Sequence, residues 1–217
     1  MLNQLLSVFL ESPCAFCDRS TANYLCEYCQ PSLSSHQLMR ENRLELYQAQ
    51  STFAWGKYDG QLKRAIARMK YEQKPQIAEM LGTLLGKAWS DADLTKPDFK
   101  ITVVPIPMHP QKQRLRGFNQ AEIIARSFCQ VTGYQLQTQT LIRIRATAAM
   151  FELKNTQERA KNLDGALRVG AKLPKHPVLL IDDIHTTGTT VKEATKMLRQ
   201  KKIRVIGVAV AAKAGWL

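Results

Sequence analysis

No stretch of this 217-residue chain is apolar for long enough to span a bilayer. Residues 1–10 carry Leu2, Leu5, Leu6 and Phe9 at the spacing of an amphipathic helix, yet they lack a basic flank, and no secretory cleavage pattern follows. A cytoplasmic chain is expected, whose cysteines have to be explained without disulfides. Internal repeats and low-complexity tracts are missing as well. Acidic residues are scarce, 18 Asp and Glu against 31 Lys and Arg, which leaves a formal charge of +13. That deficit steers the chain toward phosphate-rich partners, either a nucleotide or a nucleic acid. Aromatic residues make up only 7% of the chain and are not interleaved with the cations of the second half, so charge alone leaves direct nucleic-acid binding open. The 45% hydrophobic content still supports a core, and the length suits one good-sized domain plus a small module.

Four of the five cysteines form two pairs, Cys14-x-x-Cys17 and Cys26-x-x-Cys29, with eight residues between them. Each pair can present two thiolates to one ion, and two pairs complete a tetrahedron around a structural Zn²⁺. The intervening loop is too short to build a core, so metal ligation is expected to supply most of the order there. A redox dithiol is the alternative, but it usually sits on a βαβ scaffold that this region lacks. His36 reads as a surface residue, and Cys129 as a small core filler within a helical pattern. Residues 31–50 read as a helical connection. The expected division is therefore a metal-binding module over residues 1–50 and an α/β domain over residues 51–217.

The most informative stretch is Val178-Leu179-Leu180-Ile181-Asp182-Asp183-Ile184-His185-Thr186-Thr187-Gly188-Thr189-Thr190. Four bulky apolar residues without alternation suit a parallel strand covered on both faces, and ligands collect beyond the carboxyl ends of such strands. Thr186, Thr187, Gly188, Thr189 and Thr190 then supply hydroxyls, backbone N–H groups and one close-approach glycine as a helix opens. The free N–H groups and positive end of that helix favour a phosphate. Asp182 and Asp183 would repel the phosphate itself, so their natural partners are hydroxyl donors about one ribose away. A helix cap with two solvated aspartates is the plainer reading. The order of features resembles the diphosphoribose-binding signature of type I phosphoribosyltransferases. That resemblance implies a loop holding the 5′-phosphate of phosphoribosyl pyrophosphate, with the two aspartates near the ribose 2′ and 3′ hydroxyls.

Elsewhere the periodicity predicts an extended arm near residues 53–58, helices over 60–71 and 76–89, and a strand over 101–107 ended by Pro105 and Pro107. Next comes a basic turn with Lys112, Arg114 and Arg116 that runs into a helix, whose N-terminus and cations could face one anion, assigned to pyrophosphate. A basic surface loop held by prolines is the alternative. Strands near 134–137, 166–169 and 203–211 complete an alternation that implies a parallel sheet. The polar residues 143–162 are expected to form a hood that shields a hydrolysis-prone donor from water.

Taken with the cysteine pairs, Tyr58-Asp59-Gly60 leading to Met69-Lys70-Tyr71, Val103-Val104-Pro105-Ile106-Pro107 and Arg116-Gly117-Phe118-Asn119-Gln120-Ala121, the chain is similar to the competence protein ComF family over nearly its whole length. The resemblance implies a zinc-binding region on a type I phosphoribosyltransferase fold, Mg²⁺ accompanying phosphoribosyl pyrophosphate, and a role in natural transformation, handling imported single-stranded DNA. One departure stands out: Arg145-Ala146-Thr147-Ala148-Ala149 is followed by Met150 where family members tend to carry glutamine. Three readings follow. In the first the chain is a transferase, with Asp182 and Asp183 stabilising positive sugar character and Arg114 and Arg116 the departing pyrophosphate. In the second it is a non-catalytic module that binds nucleic acid or a nucleotide. In the third it is a scaffold that recruits a helicase or recombination mediator through its cysteines, in which case replacing Cys14 and Cys17 would leave the sheet domain folded.

Overall fold

The unbroken run at Val178 asks for cover on both sides, and the computed structural model, which describes residues 12–47, 50–92, 99–146 and 165–215, provides it. A short hairpin, β1 (Ser12–Pro13) and β2 (Ser20–Thr21), precedes α1 (Cys29–Ser34). After a 3₁₀ turn at Arg40–Asn42 come β3 (Leu44–Tyr47), β4 (Gln50–Lys57), α2 (Gly60–Tyr71) and α3 (Pro75–Asp91). The middle of the chain supplies β5 (Thr102–Pro105), α4 (Pro110–Arg116), α5 (Gln120–Thr132), β6 (Gln135–Leu136) and β7 (Leu141–Arg143). The last elements are β8 (Leu167–Val169), β9 (Val178–His185), α6 (Thr189–Gln200) and β10 (Val205–Lys213). None of the helices is long and apolar enough to cross a membrane, among the described residues.

The main sheet has six strands in the order β3-β4-β10-β9-β5-β6, all parallel except the edge strand β3. On one face Leu62, Ile66 and Met69 of α2, Ile77, Leu81 and Leu85 of α3, and Ile124 and Phe128 of α5 bury against Phe53, Trp55, Leu179 and Ile181. On the other, Val191, Ala194 and Leu198 of α6 bury against Ala54, Val104, Val178 and Leu180. Alternate residues of β9 thus serve opposite cores, which is why the strand has no polar face. Helices α3 and α5 approach closely at Gly82, where a Cβ would meet the Ile124 carbonyl oxygen at 2.4 Å. Trp89 packs edge-on to Phe53 and Phe128, at centroid distances of 5.0 and 5.8 Å, so the aromatic stripe of α3 is core, as its spacing indicates.

Several expectations are revised. Residues 31–50 are only partly helical, because Leu44–Tyr47 pairs antiparallel with β4 and closes the sheet edge. The signature strand carries both aspartates at its end, as expected, and runs two residues further to His185, since β10 continues beside it as far as Lys213. The basic turn is itself helical, as α4, and stops where Gly117 takes the left-handed φ of 86°. Strand β8 joins β7 in a separate antiparallel pair rather than the main sheet. That pair is rooted in the α6-side core through Leu141 and Leu167. Most of the expected hood, with Met150, Lys154 and Arg159, lies outside the described residues, as does the expected helix over residues 1–10.

Candidate functional site

Parallel strands bring their carboxyl ends to one edge, and here two of them diverge. From β5 the chain passes to α5 on one face, while from adjacent β9 it passes to α6 on the other. The crevice between such strands is where doubly wound sheets hold ligands. A cavity of about 400 Å³ opens there, and its lining includes Asp182, Asp183, Thr186 and Thr190 from the β9 side and Lys112 and Arg116 from the β5 side. Six of the ten residues expected from sequence around the phosphates and ribose therefore line one cavity. Arg114 is exposed and does not line the cavity, and neither do Thr187, Gly188 and Thr189.

The threonine-glycine turn is built by local geometry. Gly188 has φ 68°, a conformation costly for other residues, and a Cβ there would also meet His185 Nε2 at 2.8 Å. Thr187 Oγ1 and Thr189 Oγ1 are 2.8 Å apart and bond to each other, which pins the turn. No side chain caps α6, and its first turn contains no acid. The contrast with α4 and α5 is informative. Asn119 Oδ1 accepts from Ala121 N and His109 Nδ1 accepts from Gln111 N, so these two helices satisfy their own starts. The helix after Arg116, α5, thus starts with a side-chain cap from Asn119, whereas α6 beside the crevice starts without one.

On the β5 side, Asn119 Nδ2 also donates to the Ile106 carbonyl, tying the loop after α4 to the strand end. Gln120 Oε1 accepts from Arg116 at 2.6 Å and aims its guanidinium. Arg116-Gly117-Phe118-Asn119-Gln120 is thus a device for holding one arginine over the crevice.

The two aspartates differ. Asp183 is 4% exposed and forms an ion pair with Lys70 of α2, Nζ to Oδ2 at 2.5 Å. Burial alone would raise its carboxyl, but the Lys70 contact outweighs that, with help from Arg116, and holds it below the usual range. Asp182 is pushed well above the usual range, first by burial and then by repulsion from Asp183. The two neighbouring carboxyls are therefore driven in opposite directions, Asp183 toward the ionised form and Asp182 toward the protonated one. Arg143 of β7 lines the cavity and is held in Asp182's field, though burial pulls its affinity for the proton down. An arginine remains cationic all the same.

Lys70 and Arg143 were not assigned to the site from sequence. For Lys70 a signal existed. It falls four residues after Ile66 and one after Met69, on the inward side of α2, where a lysine needs a partner. Nothing in the sequence directs Arg143 to Asp182; the pairing of β7 with β8 places it.

The second site is the cysteine module. Ligand atoms of Cys14, Cys17, Cys26 and Cys29 lie within 4.8 Å of one another. Cys14 Sγ accepts from Phe16 N at 3.5 Å and from Cys26 N at 3.4 Å, as a thiolate does when backbone N–H groups fold around it. Cys29 is pushed up to about 12 by burial and by the neighbouring sulfurs, so four thiolates need a cation among them. The donor set and spacing fit a tetrahedral metal ion and are compatible with zinc. The module is no separate body, however. Cys14, Ala15, Leu25, Cys26 and Leu33 belong to the same buried cluster as Leu62 and Ile77. Arg68 of α2 donates to the Ala15 carbonyl at 3.0 Å and also to that of Phe16, and Lys74 pairs with Asp18 at 2.7 Å. His36 is not a free surface residue either: Nδ1 meets Asp59 at 2.7 Å and Nε2 accepts from Gln61 N, covering the start of α2.

Comparison with known proteins agrees with this architecture. The model of the phosphoribosyl transferase domain matches residues 71–215. Over 145 residues the chain is 29% identical to the DNA utilization protein YhgH of Salmonella typhi, covering 65% of this chain and 62% of that one, so the match spans about three fifths of that relative. Competence protein F of Haemophilus influenzae is 29% identical over 164 residues, covering 72% of this chain and 71% of the other. Competence protein ComFC of Bacillus subtilis is 23% identical over 204 residues, 87% of this chain and 72% of that one. With its doubly wound sheet, uncapped threonine turn and four-cysteine module, the chain belongs to the phosphoribosyl transferase domain family and, within it, to the competence protein ComF family.

Proposed function

We propose that the protein binds phosphoribosyl pyrophosphate, or a related sugar phosphate, in the β5/β9 crevice and acts in the cytoplasm on the handling of imported single-stranded DNA. The observation that carries the reading is the uncapped start of α6 beside an Asp182–Asp183 pair, within one cavity that also gathers Lys70, Arg116 and Arg143. The turn at 186–190 takes the 5′-phosphate through its N–H groups and hydroxyls. Asp183, kept ionised by Lys70, accepts from a ribose hydroxyl, while Asp182 donates to or accepts from the other. Lys112 and Arg116 face the pyrophosphate, whose departing charge they stabilise if an acceptor attacks C1. Arg114, outside the cavity lining, contributes only to the long-range field. When bound, Mg²⁺ supplies charge neutralisation to the pyrophosphate oxygens. The four cysteines hold a structural Zn²⁺.

The relatives' names, DNA utilization protein and competence protein, support the cellular setting. The formal charge of +13 favours a second reading, in which the same crevice binds nucleotides or DNA ends without transfer.

Calorimetric titration with Mg²⁺-phosphoribosyl pyrophosphate tests the proposal. Binding by the wild type, and its loss in the Asp182→Asn/Asp183→Asn variant with unchanged circular dichroism, is the expected result. A folded wild type that takes up no ligand overturns it.

A further inference from the structure

The four sulfurs of the cysteine module are unequally sheltered. Cys14 and Cys26 are buried and Cys29 is half-buried, whereas Cys17 is exposed. Cys17 Sγ lies 3.5 Å from Cys26 Sγ, so the sulfur open to solvent stands against one that is closed to it. An accessible thiolate with a resolving sulfur beside it is the arrangement that peroxides oxidise to a disulfide. A tetrahedral ion needs four thiolates, and a disulfide withdraws two of them.

The residue after Cys17 carries such a change into the domain. Asp18 takes a left-handed φ of 60°, and its carboxylate is held by Arg68 of α2 at 3.6 Å and by Lys74, just beyond that helix, at 2.7 Å. Arg68 also donates to the carbonyls of Ala15 and Phe16, so one guanidinium grips the knuckle on both sides of Cys17. Two residues further along the same helix, Lys70 pairs with Asp183 at the crevice. Drawing Cys17 onto Cys26 moves Asp18, and with it the turn of α2 that makes both contacts.

We propose that the module is a thiol switch, in which a peroxide joins Cys17 to Cys26, opens the metal site and releases the end of α2 from Asp18. Its consequence at the crevice, a looser Lys70 and weaker ligand binding, rests on the sugar-phosphate reading above. In the first step the Cys17 thiolate attacks a peroxide oxygen, the O–O bond breaks, and a sulfenic acid and hydroxide result. In the second the Cys26 thiolate attacks the Cys17 sulfur, the S–S bond forms, the S–O bond breaks and another hydroxide leaves. Two thiolates lose two electrons in all, one peroxide gains them, and two protons from solvent convert the hydroxides to water.

The test treats the full chain, loaded with zinc, with stoichiometric hydrogen peroxide. Peptide mapping should find a Cys17–Cys26 linkage, and a colorimetric chelator should detect the released zinc. Hydrogen exchange over residues 66–74 should quicken about tenfold while circular dichroism is retained. Affinity for ribose 5-phosphate should fall about threefold or more, and dithiothreitol with added zinc should restore it. Cys129→Ser, outside the module, should respond as the wild type does. Retention of zinc under peroxide, a disulfide that omits Cys17, or loss of circular dichroism overturns the switch. A Cys17–Cys26 disulfide with unchanged exchange in α2 also overturns it, since oxidation then stays within the module. A reduced chain that fails to bind ribose 5-phosphate counts against the sugar-phosphate reading instead, and the zinc and exchange readouts still decide the switch.

Discussion

The cysteine module and the crevice are both places where like charges crowd, and they handle the crowding differently. In the module four sulfurs lie within 4.8 Å and receive backbone N–H groups, a donor set that could hold a metal ion. In the crevice two adjacent carboxyls are set apart from within, Asp183 lowered by its contact with Lys70 and Asp182 raised by burial and by Asp183. The module thus looks outward for its balancing charge, whereas the crevice carries a lysine against its carboxyls. Helix α2 joins the two: Arg68 grips the knuckle carbonyls and Lys70, two residues on, grips Asp183. The same helix thus contacts both regions, and coupling between them is a matter for experiment.

The largest effect is expected from the metal. Because Cys14 and Cys26 are buried in the main core, Cys14→Ser/Cys26→Ser, or chelation, should lower stability by several kcal/mol. Differential scanning calorimetry should show the whole domain melting earlier. An unchanged main transition with the module alone lost would return the two regions to independence, as the sequence suggested.

Next in size is Asp182→Asn. A raised carboxyl binds its proton more tightly in the folded chain, so its stabilising contribution is full below the ordinary carboxylate value of 3.8 and fades as pH rises through the folded value. At neutral pH the native Asp182 is therefore a burden, and Asp182→Asn should stabilise by more than about 1 kcal/mol while weakening ligand binding. Asp183 has the opposite sign: its contribution is present above the ordinary value and is lost as pH falls through the depressed one. Lys70→Met should abolish that contribution and leave Asp183 titrating upward, which denaturant curves across pH would reveal. Profiles that do not differ between the two variants would mean the carboxyls are equivalent.

The smallest and most discriminating change is Arg68→Ala. It touches no residue of the crevice, yet by loosening α2 it should speed metal release and weaken sugar-phosphate binding about three- to tenfold. Faster metal release at constant ligand affinity would show that α2 does not couple the sites.

Much of this was legible in the chain itself. Cysteine spacing, the apolar run of β9 and the Thr-Thr-Gly-Thr-Thr turn are local patterns, so their geometry follows from consecutive residues. Lys70 was visible only as a member of a resemblance, and Arg143 only as one cation among many. Each lies far along the chain from Asp182, and proximity across such separation is not written in any window of sequence. Even His36 and Asn119, which look like ordinary polar residues, became a helix cover and a helix cap only once their neighbours were in place.

The sheet covered on both faces, the four-cysteine cluster and the threonine-glycine turn could be read from the chain alone, because periodicity, thiol spacing and backbone conformation act over a few residues. Only the packing of distant elements set which helix starts lack a side-chain cap, which aspartate is raised and which lowered, and which lysine separates them. Those are questions of electrostatic contact, which falls off within a few ångströms and so depends on how α2, β5, β7 and β9 converge.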